Sequence, residues 1–210
     1  LKAGIVPFQF WVPAAYGAAP APVAAMLAGV TKKVGIYATI RLYFLVFATA
    51  DLGTGTLSFY GVAFLVMAAA SVVLGGVAAV ERDSLEAVLA YSSIGQVGFI
   101  VLPLAVGALV PAVRGPAIVA ALVYALNHAA AKGLLFLTAG AVEDSTGTTR
   151  LGELGGLAGG APWLAAAFLV GALALVGIPP LSGFFGKFLV FDAAVRAGLG
   201  TAVGALSLVV

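Results

Sequence analysis

From Ser58 to Val80 the chain runs without a single charged side chain. A helix rises about 1.5 Å per residue, so about 20 apolar residues cross the hydrocarbon core of a bilayer. Largely apolar runs, each with one to three charged side chains, recur at 22–48, 85–107 and 117–141, and once more, with an interruption, at 162–195. Only 9% of the 210 residues are charged and 63% are hydrophobic, against about 25% charged in a soluble domain. The expected fold class is all-α: a polytopic transmembrane helix bundle.

The connections follow from the same pattern. Residues 1–12 are expected to be the end of a helix, closed by Pro7 and Pro13, with an Ala-, Gly- and Pro-rich connection at 14–22. Short polar links are expected at 51–55 and 81–84, a Pro-bounded link at 111–116, and the longest polar loop at 143–160. A last partial span begins near Gly198. The chain opens and closes inside apolar runs, so 1–210 is expected to be a single transmembrane domain, an internal piece of a longer polytopic chain. Lys and Arg are almost evenly divided between alternate links, which assigns no orientation.

The interruption of the 162–195 run lies at Gly177-Ile178-Pro179-Pro180-Leu181-Ser182-Gly183, and Lys187 follows four residues later. A helix broken at membrane depth is tolerated only where protein or water covers the freed backbone. An ionisable side chain at that depth costs roughly 2.5–3.5 kcal/mol on insertion scales and usually marks an ion or proton path. Lys187 has company. Lys2 precedes Pro7, Lys32 and Lys33 lie about eleven residues into one span, and His128 and Lys132 lie well inside another.

The spacing has chemical content. His128 and Lys132 are four apart and share a helix face, in reach of each other. Of the adjacent pair, Lys33 is taken as the carrier and Lys32 as tolerated. Arg41 is expected nearer the membrane surface, in a structural role, and Trp11 and Trp163 as interfacial anchors. Ser92, Ser93 and Gln96 fit either a water path or helix packing. A free amine titrates near about 10.4, so a lysine carries protons near neutrality only where desolvation acts on it. A half-helix starting after Gly183 would also set its positive dipole end against the Lys187 ammonium.

All eight carboxylates lie at span edges or in links, Asp192 being nearest to mid-depth. Buried amines without partners are costly, so a partner Asp or Glu is expected outside these residues. Other chemistry is poorly supplied. One histidine and no cysteine give no metal cluster of usual spacing. No phosphate-binding or nucleophile motif appears, and no basic stripe that would fit nucleic acid. No cofactor and no metal are expected.

Six segments, in order, resemble those of the proton-conducting antiporter-like family, which includes Mrp-type sodium/proton antiporter subunits and the large membrane-arm subunits of complex I. They are Lys2 through Pro13; Ala19-Pro20-Ala21-Pro22-Val23; Thr31-Lys32-Lys33-Val34-Gly35-Ile36-Tyr37 with Arg41; Leu89 to Gln96; Asn127-His128-Ala129 with Lys132; and Gly177 to Lys187. The resemblance implies half of an inverted-repeat core with broken helices. It also implies a proton relay of Lys2, Lys33, His128, Lys132 and Lys187 along the membrane midplane. The implied partners are other membrane subunits of one complex, with protons and possibly Na+ as the transported ions.

Two positions depart from the family pattern: Gln9 stands where it has His, and Ala14 where Asp is common. A lysine at 187 argues against the complex I type that carries Glu there. Thr31 to Gly35, the segment 147–157 and the Pro-Pro-Leu-Ser-Gly-Phe break look most like the D-type Mrp proteins. Tyr91-Ser92-Ser93-Ile94 looks more like a complex I subunit. The expected function is proton translocation within a cation/proton antiporter. The alternatives are a proton-pumping subunit of an NADH:quinone oxidoreductase and a structural membrane scaffold.

Overall fold

The computed structural model of the chain describes residues 1–47 and 54–207. Eight helices organise it: α1 (Trp11–Ala18), α2 (Ala21–Phe47), α3 (Thr54–Val80), α4 (Leu85–Leu109), α5 (Arg114–Thr146), α6 (Pro162–Val176), α7 (Ser182–Arg196) and α8 (Gly200–Ser207), with a single helical turn at Leu157–Gly160 between α5 and α6. Four of them, α2 to α5, are long and apolar enough to cross a membrane. No strand occurs among the described residues, only one isolated antiparallel bridge between Ser84 and Arg150.

The core is built around α4. Its residues from Ser93 to Ala108 are all buried, with α3 on one side and α5 on the other. Small residues set these distances. A Cβ added to Gly75 would stand 2.3 Å from the Gly95 nitrogen, and one on Gly98 would stand 2.5 Å from the Ala68 carbonyl oxygen. Lipid tails supply no hydrophobic drive between helices, so close backbone approach and its dispersion energy carry the association. The outer faces remain apolar: Phe59, Val66, Leu126 and Trp163 are all exposed.

Boundaries follow local chemistry. The Ser84 hydroxyl accepts from the Ala87 N–H and caps α4. Helix α5 stops at Gly147, where φ is +76°, a conformation that favours glycine. The polar loop expected from 143 therefore begins later, because Glu143 and Asp144 complete the last turn of α5. The N-terminal expectation is also corrected. Residues 1–10 form turns rather than a helix end, and helix at Trp11–Ala18 and from Ala21 takes up most of 14–22, where a connection was expected. Pro13 is the third helical residue, where no intrahelical N–H bond is yet due. The link expected at 51–55 lies outside the described residues except for Thr54 and Gly55, which begin α3.

The break expected after 176 is present. Gly177 ends α6 at φ +86°, its N–H donating to Leu173 O at 2.9 Å, and α7 starts at Ser182. The packing leaves no room for a side chain at Gly183, whose Cβ would lie 1.7 Å from the Ala174 carbonyl oxygen. The Ser182 hydroxyl donates to Asn127 Oδ1, tying the break to α5 one residue before His128.

Candidate functional site

Adjacent residues on a helix point about 100° apart, and α2 sits where that divergence matters. It packs along α5, while its Lys32 reaches Tyr16 of α1 and Ser93 of α4. Lys32 therefore turns toward α1 and α4, and Lys33 toward α5. Just before them the helix widens into a π-helical stretch, Leu27–Thr31, a local form found frequently at functional sites. The Lys33 amine donates back into this stretch, to Ala28 O.

Lys33 Nζ lies 2.6 Å from His128 Nδ1. With the ammonium as donor, Nδ1 accepts and the ring proton belongs on Nε2. That second nitrogen is fully buried and has no hydrogen-bond partner among the described residues. Lys132, one turn further along α5, is also fully buried; its amine donates to Leu89 O at 2.8 Å and to Ser92 Oγ. Lys32 is as deeply buried. Its Nζ donates to Ser93 O at 3.2 Å and stands 5.6 Å above the ring of Tyr16. Leu89 and Ser93 are one turn apart on α4, and the Ser93 hydroxyl donates to Leu89 O at 2.8 Å. The carbonyls use the second lone pair that a helical C=O keeps free.

Four basic groups thus share one buried region, with no carboxylate among them. The ion pairs among the described residues are Arg82–Glu81, Arg150–Glu153 and Arg196–Asp192, all at helix ends or in a link. A proton on one amine repels a proton on the next, strongly so in low dielectric. Such an arrangement can hold fewer protons than it has basic sites, and one hydrogen bond, between Lys33 and His128, joins two of those sites directly.

Two of the expected residues stand apart. Lys187 is half-buried on α7, its Nζ 5.6 Å above the Phe99 ring and its stem against Gly177. It makes no hydrogen bond or ion pair among the described residues. Phe99 and Tyr124, ring centroids 5.2 Å apart, lie beside it, and the Tyr124 hydroxyl donates to Gln96 Oε1. Lys2 is exposed, beside a cavity shared with Gly35, Ile36 and Thr39. The structure gathers Lys33, His128 and Lys132 and leaves Lys2 and Lys187 at a remove.

Sequence reasoning ranked Lys32 below Lys33 and passed over Tyr16 and Tyr124. No sequence signal separates two adjacent lysines until the helix's neighbours are known. Ser92, Ser93 and Gln96 turn out to receive or relay hydrogen bonds from the cluster and from Tyr124. No group of three or more metal-ligating side chains occurs among the described residues.

Comparison with known proteins identifies the family. Residues 1–210 match the family described as NADH:quinone oxidoreductase/Mrp antiporter, TM. The chain is 39% identical over 214 residues to the D component of the Na(+)/H(+) antiporter of Alkalihalophilus pseudofirmus, covering 99% of this chain and 41% of that protein. It is 38% identical over 206 residues to the N component of the NADH-quinone oxidoreductase of Desulforudis audaxviator, covering 98% and 39%. A protein of the Mrp complex from a Dietzia species superposes with a TM-score of 0.87 at 35% identity, covering 99% of this chain and 36% of that one. The chain thus spans about two fifths of the length of these relatives. Matched along its whole length, with a broken helix and a buried lysine–histidine cluster inside a helical bundle, the chain belongs to the NADH:quinone oxidoreductase/Mrp antiporter transmembrane family.

Proposed function

We propose that this chain moves protons across a membrane through Lys33, His128 and Lys132, with Lys2 and Lys187 as the outlying stations of the same relay. The contact between Lys33 Nζ and His128 Nδ1 carries the reading: an amine and an imidazole share one hydrogen bond in a buried region that holds no acid. In this relay a proton leaves the Lys33 ammonium for Nδ1, and the imidazolium then releases the proton on Nε2 toward Lys132. Each transfer leaves a neutral base, the imidazole now with its proton on Nδ1; it returns to the Nε2–H tautomer before it accepts again from Lys33, and repulsion between successive charges drives them apart. Phe99 and Tyr124 lie beside Lys187, so exchange with Lys187 requires a rearrangement around the α6–α7 break.

The assembly is a multi-subunit membrane complex, with Mrp-type cation/proton antiport as the favoured setting. Both compared relatives come from such complexes, and the near-equal identity to the oxidoreductase component supports a redox-driven complex as the second setting. Proton flux into vesicles carrying the full complex separates them. Flux driven by a sodium gradient and lost in Lys33→Ala supports the antiporter; flux that requires NADH supports the second. Flux unchanged by Lys33→Ala and His128→Ala overturns the relay.

A further inference from the structure

Where α1 ends and α2, α4 and α5 meet, a cavity of about 160 Å³ is lined by Tyr16, Gly17, Pro20, Glu86, Glu143 and Thr149, among others. Unlike the large apolar groove beside Lys33, its exposed lining is mostly polar. The volume is well above the roughly 10–15 Å³ that one water needs. Glu86 lies in the first turn of α4, where the helix dipole alone would favour it. That does not account for Glu143, from another helix, on the same cavity. Nor does it account for Tyr16, which is fully buried, lines the cavity, and has a hydroxyl with no partner among the described residues.

Behind Tyr16 lies Lys32. The ring, packed edge-on to Phe136 at 5.2 Å, has the Lys32 amine above its face. Ala21, at the cavity, is eleven residues from Lys32 along α2, and Glu143 is eleven from Lys132 along α5. At about 1.5 Å per residue each distance is about 16 Å, half of a roughly 30 Å hydrocarbon core. The cavity therefore opens at one face of the membrane and the lysines lie near its middle.

We propose that this cavity is an aqueous mouth of the proton path, with Glu86 and Glu143 collecting protons, Tyr16 closing its inner end, and Lys32 as the first carrier inside. This rests on the relay reading above and extends it to a lysine that the relay does not use. A proton arriving on water in the cavity passes Tyr16 and binds the neutral Lys32 amine, giving an ammonium. Release of that proton to a neutral Lys132 by way of water restores the amine; the Ser93 and Leu89 carbonyls accept from the two amines and hold them in place without carrying the proton.

The test uses Gly17→Cys in the full-length complex in vesicles, with any cysteines outside these residues replaced. A Cβ at Gly17 meets nothing within 4 Å, so the variant should fold. A charged, membrane-impermeant thiol reagent added to one side is expected to label it, and not to label Leu126→Cys on the exposed apolar face of α5. Labelling should lower proton flux relative to the same variant before modification. Lys32→Met and Tyr16→Phe should each slow flux while leaving the complex assembled. Absent labelling, or labelling without effect on flux while Lys33→Ala still abolishes it, overturns the mouth and leaves the relay standing. Protection from the reagent by sodium but not by acidification makes the cavity a sodium site and also overturns it. Flux indifferent to Lys33→Ala overturns both.

Discussion

The cluster on α2 and α5 and the lone Lys187 on α7 are both basic sites set in apolar surroundings, but they are held differently. Each amine of the cluster finds a carbonyl, a hydroxyl or an imidazole. Lys187 has an aromatic face and a glycine. Continuous helices supply the cluster with acceptors at fixed registers; the broken α6–α7 unit supplies freed backbone and space. On the proposed reading the first is where protons are stored and passed, and the second is where the path changes shape to let them through. Losing a partner should therefore cost stability in the first region and mainly transport in the second.

The comparison breaks most completely at Gly183. Its Cβ would overlap the Ala174 carbonyl, so Gly183→Val should abolish correct assembly, seen as loss of the monodisperse complex in detergent; normal yield would mean that the break is loosely packed. Next come His128→Ala and Lys187→Ala. Both should lower flux by about 10²-fold or more, the scale of a lost proton-transfer group. His128→Ala should also lower stability the more, by about 1–3 kcal/mol, because it strips the Lys33 amine of an imidazole partner. Lys187→Ala removes one cation–π contact of about 0.5–1 kcal/mol. Equal losses in thermal stability would erase the distinction. On proton flux the effect is smaller again for Tyr124→Phe, which leaves Gln96 Oε1 buried without its donor. Thermal melts should show a loss of about 1–3 kcal/mol, with the cluster intact.

The spans and the break were legible in the sequence because length, apolarity and Gly/Pro placement are properties of one segment at a time. Gly177 and Ser182 bound the break where the residues alone suggested it. Residues 1–18 were misread because Pro7 and Pro13 look alike as helix stops, yet only position in the helix decides whether a proline ends it or fits its first turn. Glu143 and Asp144 suggested a loop, although the residue that stops α5 is Gly147. The site was legible as a set of residues and not as an arrangement. Lys32, Tyr16 and the Tyr124–Gln96 pair gain their roles from contacts between α1, α2, α4 and α5, and no spacing within one helix encodes those.

The smallest expected effect sharpens the contrast at Lys187. Asp192 is the carboxylate nearest to it in sequence, and a counter-ion there would make Lys187 an ordinary ion pair rather than an open station. Five residues along a helix place the two side chains about 140° apart, on different faces. Asp192 is instead held by Arg196, Nε to Oδ2 at 2.8 Å, one turn further on. A partly exposed i,i+4 pair contributes about 0.3–0.5 kcal/mol. Arg196→Ala should therefore shift the melt barely at all and leave proton flux at the wild-type rate, since the freed Asp192 still faces away from Lys187. A clear change in flux, reversed by a second change of Asp192→Asn, would show that Asp192 governs Lys187 after all, and the two basic regions would then differ in the distance to their partner rather than in having one.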